Sequence, residues 1–287
     1  MEERTWGQQV RLQDGRMLGY AQFGAAEGAP IFYFHGFPGS RLDWQFFGDE
    51  ECLEELNACV IAVDRPGYGL SDAKRRRSIR DWPDDVIELA DALGFDRFAV
   101  LGVSGGGPFA AACAAMIPAR LTRMAIVCGM GPYDAPGMKE GVSWTIPGQF
   151  WLVRRLVLML TAMGVQKDPD QFLSRSKETL SEPDRRLLDQ AEKAHTFVEG
   201  LSEAFRPGTA GASRDASLYA RPWGFRLQDI TVETHLWHGG MDLNVPISVG
   251  RYVADAIPSC TARFYEEEGH LTLPDKHLRE TLGALVA

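Results

Sequence analysis

Gly102-Val103-Ser104-Gly105-Gly106 reads G-x-S-x-G. Just before it, Arg97-Phe98-Ala99-Val100-Leu101 is a short apolar run, the pattern of a strand covered on both faces. Just after it, residues 106–116 are small and Ala-rich, which suits a helix packed tightly on a sheet. A serine at so sharp a strand-to-helix turn is predicted to take a strained backbone conformation that lifts its hydroxyl above the sheet edge. Glycine is required at 102 and 106 because a Cβ at either position would collide with the neighbouring strand or helix. Ser104 is therefore a candidate nucleophile. The strand-before, helix-after context carries this reading, since the bare pattern is weak in a glycine-rich chain. A phosphate-cradling loop would need a lysine after the glycines, and a dinucleotide fingerprint would need glycine where Ser104 stands.

Outward from this turn, strands and helices alternate. Residues 9–12 and 17–23 flank Asp14-Gly15, a hairpin signal. Residues 30–36 and 59–64 read as buried strands, the second followed by Arg65-Pro66-Gly67-Tyr68-Gly69. Residues 78–93 read as a helix with Pro83 tolerated near its first turn. Residues 123–128, 232–238 and 261–265 are further strands. The alternation predicts an α/β fold: a mostly parallel eight-stranded sheet with helices on both faces, fronted by an antiparallel hairpin.

Between residues 133 and 226 the strand pattern stops. Residues 150–163 are densely apolar around Arg154-Arg155, residues 183–201 read as one charged amphipathic helix, and residues 207–217 are small and polar, as in a mobile loop. A long helical insertion between two core strands reads as a lid over the strand ends. The predicted organisation is a core of residues 1–132 and 227–287 with a lid of residues 133–226. Trp144, Phe150 and Trp151 are expected in the lid–core seam, the other option being a pocket lining. The basic run Lys74-Arg75-Arg76-Arg77 is expected to be a solvated surface loop.

The chain has 287 residues, enough for a large α/β domain with an insertion, and a net charge of −9. That charge argues against nucleic acid and anionic membrane as partners, since both need a basic face. There is no apolar run long enough for a transmembrane span, and the charged start Met1-Glu2-Glu3-Arg4-Thr5 has no apolar signal core, so a cytoplasmic location is expected. Five irregularly spaced cysteines suggest no disulfide framework. His235-x-x-His238 lies on a predicted strand, where an odd offset sends the two rings to opposite faces; no metal site and no cofactor are expected.

A serine hydroxyl needs a base to take its proton and a third group to orient that base. In a parallel sheet both come from loops after later strands, at the carboxyl edge. His270, in Glu266-Glu267-Glu268-Gly269-His270-Leu271, follows the last strand and is the candidate base. His238 begins a turn, His195 and His277 fall in predicted helices as solvated residues, and His35 is expected to brace its own loop. Asp242, in Trp237-His238-Gly239-Gly240-Met241-Asp242, follows the preceding strand and is the candidate orienting carboxylate; Asp134, after the strand before the insertion, is the rival. The oxyanion hole needs two backbone N–H donors. Gly105 supplies one by position, and the loop His35-Gly36-Phe37-Pro38-Gly39-Ser40 supplies the other, most directly from Phe37, because Pro38 has no N–H.

Together with Asp64-Arg65-Pro66-Gly67-Tyr68-Gly69-Leu70-Ser71, these segments resemble the α/β-hydrolase fold family from about residue 9 to residue 287, with the insertion unmatched in detail. The resemblance implies that fold and a Ser104–Asp242–His270 triad. Epoxide hydrolases and haloalkane dehalogenases look similar around residues 35–39 but carry aspartate at the nucleophile position, so Ser104 argues against both. Proline iminopeptidase-like members usually carry tryptophan after the serine, where Gly105 stands here. Cofactor-free haloperoxidase or perhydrolase relatives share the triad. The expected activity is hydrolysis of a small to medium carboxylic ester, with a small-molecule acyl substrate as partner. Thioester, amide or carbon–carbon hydrolysis, perhydrolysis, and a ligand-binding receptor on the same fold are the alternatives.

Overall fold

A computed structural model describes residues 6–138 and 151–287. Trp144 and Phe150 lie outside the described residues, as does the side chain of Trp151. The strands are β1 (Gln8–Arg11), β2 (Met17–Gly24), β3 (Ala29–Phe34), β4 (Ala58–Val63), β5 (Phe98–Val103), β6 (Leu121–Val127), β7 (Thr234–Gly239) and β8 (Cys260–Tyr265). Helices α1 (Trp44–Phe47) and α2 (Glu50–Glu55) join β3 to β4, α3 (Trp82–Ala92) joins β4 to β5, and α4 (Gly107–Met116) joins β5 to β6. Between β6 and β7 lie α5 (Trp151–Lys167), α6 (Pro169–Lys177), α7 (Glu182–Leu187), α8 (Ala191–Ala204) and α9 (Ala210–Tyr219). Helix α10 (Ile247–Ala256) joins β7 to β8, and α11 (Thr272–Lys276) and α12 (Leu278–Val286) follow. Among the described residues, no helix is long and apolar enough to cross a membrane.

The eight strands form one sheet in the order β1-β2-β4-β3-β5-β6-β7-β8. β2 pairs antiparallel with β1 and β4, and the remaining neighbours are parallel, as the sequence predicts. The strand order reverses between β3 and β5, so the carboxyl ends of these two strands flank a crevice, the usual ligand position in an open α/β sheet. Every residue of β4 and β5 is buried. Along β3, Phe32 and Phe34 enter one core with Val86, Leu89 and Phe109, while Ile31 and Tyr33 enter the opposite core with Trp44, Leu53 and Leu282. That alternation is the two-residue period of a strand with both faces covered.

The helices follow from the same accounting. α3 buries Trp82, Val86, Leu89 and Ala90, positions that share one face at helical spacing. Asp85 on the same face is buried but pairs with Arg16 at 2.6 Å and Lys74 at 3.0 Å. Burying Leu89 alone contributes about 2 kcal/mol. α4 is buried along residues 107–114, and its glycine and alanines let the helix backbone come close to the sheet.

Three expectations fail in the connecting segments. Residues 183–201 form two helices, not one: α7 ends at Leu187 and α8 begins at Ala191, and at the break Leu187 and Leu188 are buried in a small apolar cluster with Phe46 and Leu271. Residues 207–217 are largely helix α9 and not a loop; Gly211, Ala212 and Ala216 are buried, with a Cβ on Gly211 falling 2.3 Å from the Gly67 carbonyl oxygen. The basic run 74–77 is only half solvated. Arg75 and Arg76 are exposed, whereas Arg77 is buried and pairs with Asp215 of α9 at 2.5 Å.

Candidate active site

The register Phe34↔Gly102 aligns the carboxyl ends of β3 and β5. Ser104 follows β5 with φ of 52°, in the left-handed region that costs a side-chain-bearing residue about 1–2 kcal/mol. The turn is as tight as its glycines predict. A Cβ at 102 would lie 2.6 Å from the Gly106 oxygen, and one at 106 would lie 2.0 Å from the Phe34 oxygen.

The ends of β7 and β8 supply the next two groups. Asp242 Oδ1 accepts the N–H groups of Asn244 and Val245 at 2.8 Å each, which closes its own turn. Its other oxygen lies 2.7 Å from His270 Nδ1. The turn contacts and the contact with His270 therefore coexist, one on each oxygen. His238, fully buried, donates from Nε2 to the Val245 carbonyl at 2.8 Å and braces this turn from behind. Asp134 is exposed on the surface.

Electrostatics favour an ion-pair-like couple. Burial of His270 disfavours its charged form, but the charge and hydrogen bond of Asp242, with Asp184 adding to them, outweigh burial and raise its pKa above 6.5. Burial likewise works against the Asp242 carboxylate, but His270, His238 and the Val245 N–H together bring its pKa below the ordinary value. Burial lowers the pKa of His238, which keeps that ring neutral at neutral pH. Cys128 lies beside this couple, and burial followed by the Asp242 charge holds its thiol well above its usual range. Among the described residues, Cys128, Asp242 and His270 are the one group with metal-ligand geometry, and the carboxylate and imidazole in it already bond to each other.

Opposite this couple sits the loop after β3. A Cβ on Gly105 would lie 3.2 Å from Phe37 N, so the backbones of Phe37 and Gly105 adjoin. His35 is buried and braces the loop, as expected: Nε2 accepts the Arg65 N–H at 3.1 Å and Nδ1 donates to the Gly36 carbonyl at 2.9 Å. The buried Arg65 guanidinium donates to the carbonyls of His35 and Gly36 and pairs with Asp215 at 2.9 Å. From the same helix α9, Tyr219 donates its hydroxyl proton to the Gly105 carbonyl at 2.9 Å. Sequence reading missed both α9 residues, because it gave that segment no structure.

Ser104, His270 and Phe37 open on one cavity of about 270 Å³. Its other walls are mainly apolar: Phe46, Phe47, Phe172, Leu180, Phe197 and Leu201, several of them from α6 and α8. Asp43, also unanticipated, lines it next to the β3 loop and accepts the Ser40 N–H at 3.1 Å. Burial pushes the Asp43 carboxyl up to about 7, against the Ser40 hydrogen bond and the Arg65 charge.

Residues 29–277 match a family model described as alpha/beta hydrolase fold. The chain is 33% identical over 270 residues to a non-heme chloroperoxidase of Streptomyces lividans, covering 91% of this chain and 92% of that protein. It is 25% identical over 278 residues to a 2-hydroxy-6-oxononadienedioate/2-hydroxy-6-oxononatrienedioate hydrolase of Pseudomonas putida, covering 93% and 91% of the two chains. Among solved structures, a hydrolase from Pseudomonas aeruginosa PA01 superimposes with a TM-score of 0.74 at 22% identity, over 99% of this chain and 98% of that one.

Proposed function

The chain belongs to the alpha/beta hydrolase fold family, and from that premise we propose that it is a serine hydrolase that cleaves a small to medium carboxylic ester through an acyl-enzyme on Ser104. One observation carries the reading: an imidazole bonded to a buried carboxylate at 2.7 Å shares an apolar cavity with a serine held in the left-handed conformation. Ser104 Oγ attacks the acyl carbonyl while His270 Nε2 takes its proton, and Asp242 holds the tautomer and stabilises the imidazolium. The N–H groups of Phe37 and Gly105 stabilise the oxyanion. The alkoxide leaves with the proton from His270; the same imidazole then deprotonates a water that frees the acid. Helices α5 to α9, within residues 133–226, act as the lid on a core of residues 1–132 and 227–287, and supply much of the acyl-binding wall.

A neutral ester fits the cavity better than the diacid named for the Pseudomonas putida relative, because no lysine or arginine is among the described residues lining it and Asp43 is. A cytoplasmic location accords with five free thiols, four of them buried. The test is a p-nitrophenyl ester series from two to twelve carbons, run beside thioester, amide, carbon–carbon and perhydrolysis substrates. Turnover is expected to peak at short to medium acyl chains. Turnover of any other class with none on esters refutes the ester assignment.

The pH dependence follows from the same pair. The base must be neutral to act, and its pKa is raised, so activity falls as pH drops through a value above 6.5. Asp43 lines the same cavity with its carboxyl pushed up to about 7 by burial, so it is the other group there to test against this limb. In Asp43→Asn the profile of kcat/KM is expected to keep a single acid limb; loss of that limb would assign it to Asp43 and not His270.

A further inference from the structure

Asp184 belongs to α7, among the helices inserted between β6 and β7, yet its carboxylate serves the loop that carries His270. It is fully buried. Oδ2 accepts the His270 N–H at 2.8 Å, and Oδ1 accepts the N–H groups of Leu271 and Thr272 at 2.9 and 3.0 Å. The Ser181 hydroxyl donates to Oδ2 at 2.8 Å. Gly269 makes room for this contact, because a Cβ there would lie 2.4 Å from both Asp184 oxygens and from Ser181 Oγ. The glycine before the histidine thus has a specific reason: it admits a carboxylate from the inserted helices. A second tie lies alongside, where Lys193 of α8 donates to the Phe46 carbonyl at 2.5 Å and pairs with Asp275 of α11.

We infer that Asp184 is a positioning residue for the base, through which docking of the inserted helices both fixes the backbone of His270 and sets a second carboxylate beside the imidazole. The inference rests on the triad reading above. Three consecutive amides beginning at His270 itself are pinned by one side chain, so any lift of α7 loosens the backbone that presents the ring to Asp242. The charge matters separately from the geometry. Facing His270 are Asp242 from the β7 loop, His238 from β7, Cys128 after β6 and Asp184 from α7, and on its own loop Glu268, which pairs with Lys276 at 3.0 Å. His238 is neutral and Cys128 protonated, so the two aspartates are the buried charges next to the ring. Among the described residues no cation pairs with Asp184; its carboxylate is held by neutral donors alone.

The experiment compares Asp184→Asn and Asp184→Glu with the wild type by pH profiles of kcat and kcat/KM, by the rate of fluorophosphonate labelling, and by circular dichroism. Asn cannot accept three amides without turning its own N–H₂ toward one of them; kcat is expected to fall about 10- to 100-fold with KM changed less than about threefold. The acid limb is expected to move to lower pH by about half a unit, because a negative charge near the imidazolium is gone. Glu keeps the charge, so its limb stays where the wild type has it while kcat remains reduced. Asn with wild-type kcat, or with reduced kcat and an unmoved limb in a native-like fold, overturns the inference. Should Asn not fold, wild-type kcat in Asp184→Glu overturns it. If the wild type itself neither turns over esters nor labels at Ser104, the triad reading has failed; if it does both and the variants match it, only the role of Asp184 has.

Discussion

Replacing His270 by alanine is expected to lower kcat for the best ester substrate by about 10⁵-fold, with KM little changed. The size follows from what the proposed mechanism asks of the imidazole twice per turnover: to accept the Ser104 proton, return it to the leaving group, and then repeat the exchange with water. Removing it strands a neutral serine hydroxyl whose ordinary acidity gives almost no alkoxide near neutral pH. What survives is the contribution of the Phe37 and Gly105 N–H groups and of substrate binding in the cavity. Asp242→Asn is expected to cost less, about 10⁴-fold, since the ring stays in place but its favoured tautomer changes. Steady-state kinetics with saturating ester, on variants purified free of wild-type contamination, checks both. A His270→Ala enzyme within tenfold of the wild type contradicts the role assigned to the residue.

Asp215→Ala is expected to be the most damaging single change to stability, costing about 3–5 kcal/mol. Asp215 is buried between Arg65 at 2.9 Å and Arg77 at 2.5 Å, both buried themselves. Alanine would leave two guanidinium groups in the interior with no counter-charge, and that penalty exceeds whatever the intact cluster contributes. The loss also reaches the site. Arg65 bonds the carbonyls of His35 and Gly36 and so sets where the Phe37 N–H points. Chemical denaturation should therefore show a lower midpoint, a drop in Tm of about 10 °C should accompany it, and kcat should fall more than KM rises. Asp215→Asn, which keeps one acceptor, is expected to lie between. A cost under about 1 kcal/mol for the alanine variant would mean that the two arginines find other partners or water.

The strands and the strand-end groups were legible in the sequence because their signals are local. Short apolar runs bounded by turns mark the buried strands, and the motifs after β3, β5, β7 and β8 each mark a loop at one sheet edge. The topology then brings those loops together, so Asp242 and His270 meet although each was read only from its own segment. The inserted helices were less legible because long-range contacts shape them. Residues 207–217 look like a loop, yet Ala212 and Ala216 are small so that α9 can press on the core, and polar Asp215 among them is answered by arginines far away in sequence. Arg77 looked like one member of a surface run for the same reason. Asp184 lies in a plainly charged stretch, Glu182-Pro183-Asp184-Arg185-Arg186, and nothing local separates it from its solvated neighbours. The nearest signal was Gly269, a glycine next to the candidate base whose purpose only the packing of α7 reveals.

The most direct measurement is intact-mass and peptide-level analysis of the protein after exposure to a fluorophosphonate, with Ser104→Ala treated in parallel. One adduct per chain, mapped to Ser104, absent from Ser104→Ala and formed more slowly as pH falls through the His270 titration, is the expected result. A protein that takes up no adduct while small ligands still raise its Tm would be a binding protein on this fold, and an adduct on any other residue would contradict Ser104 as the nucleophile.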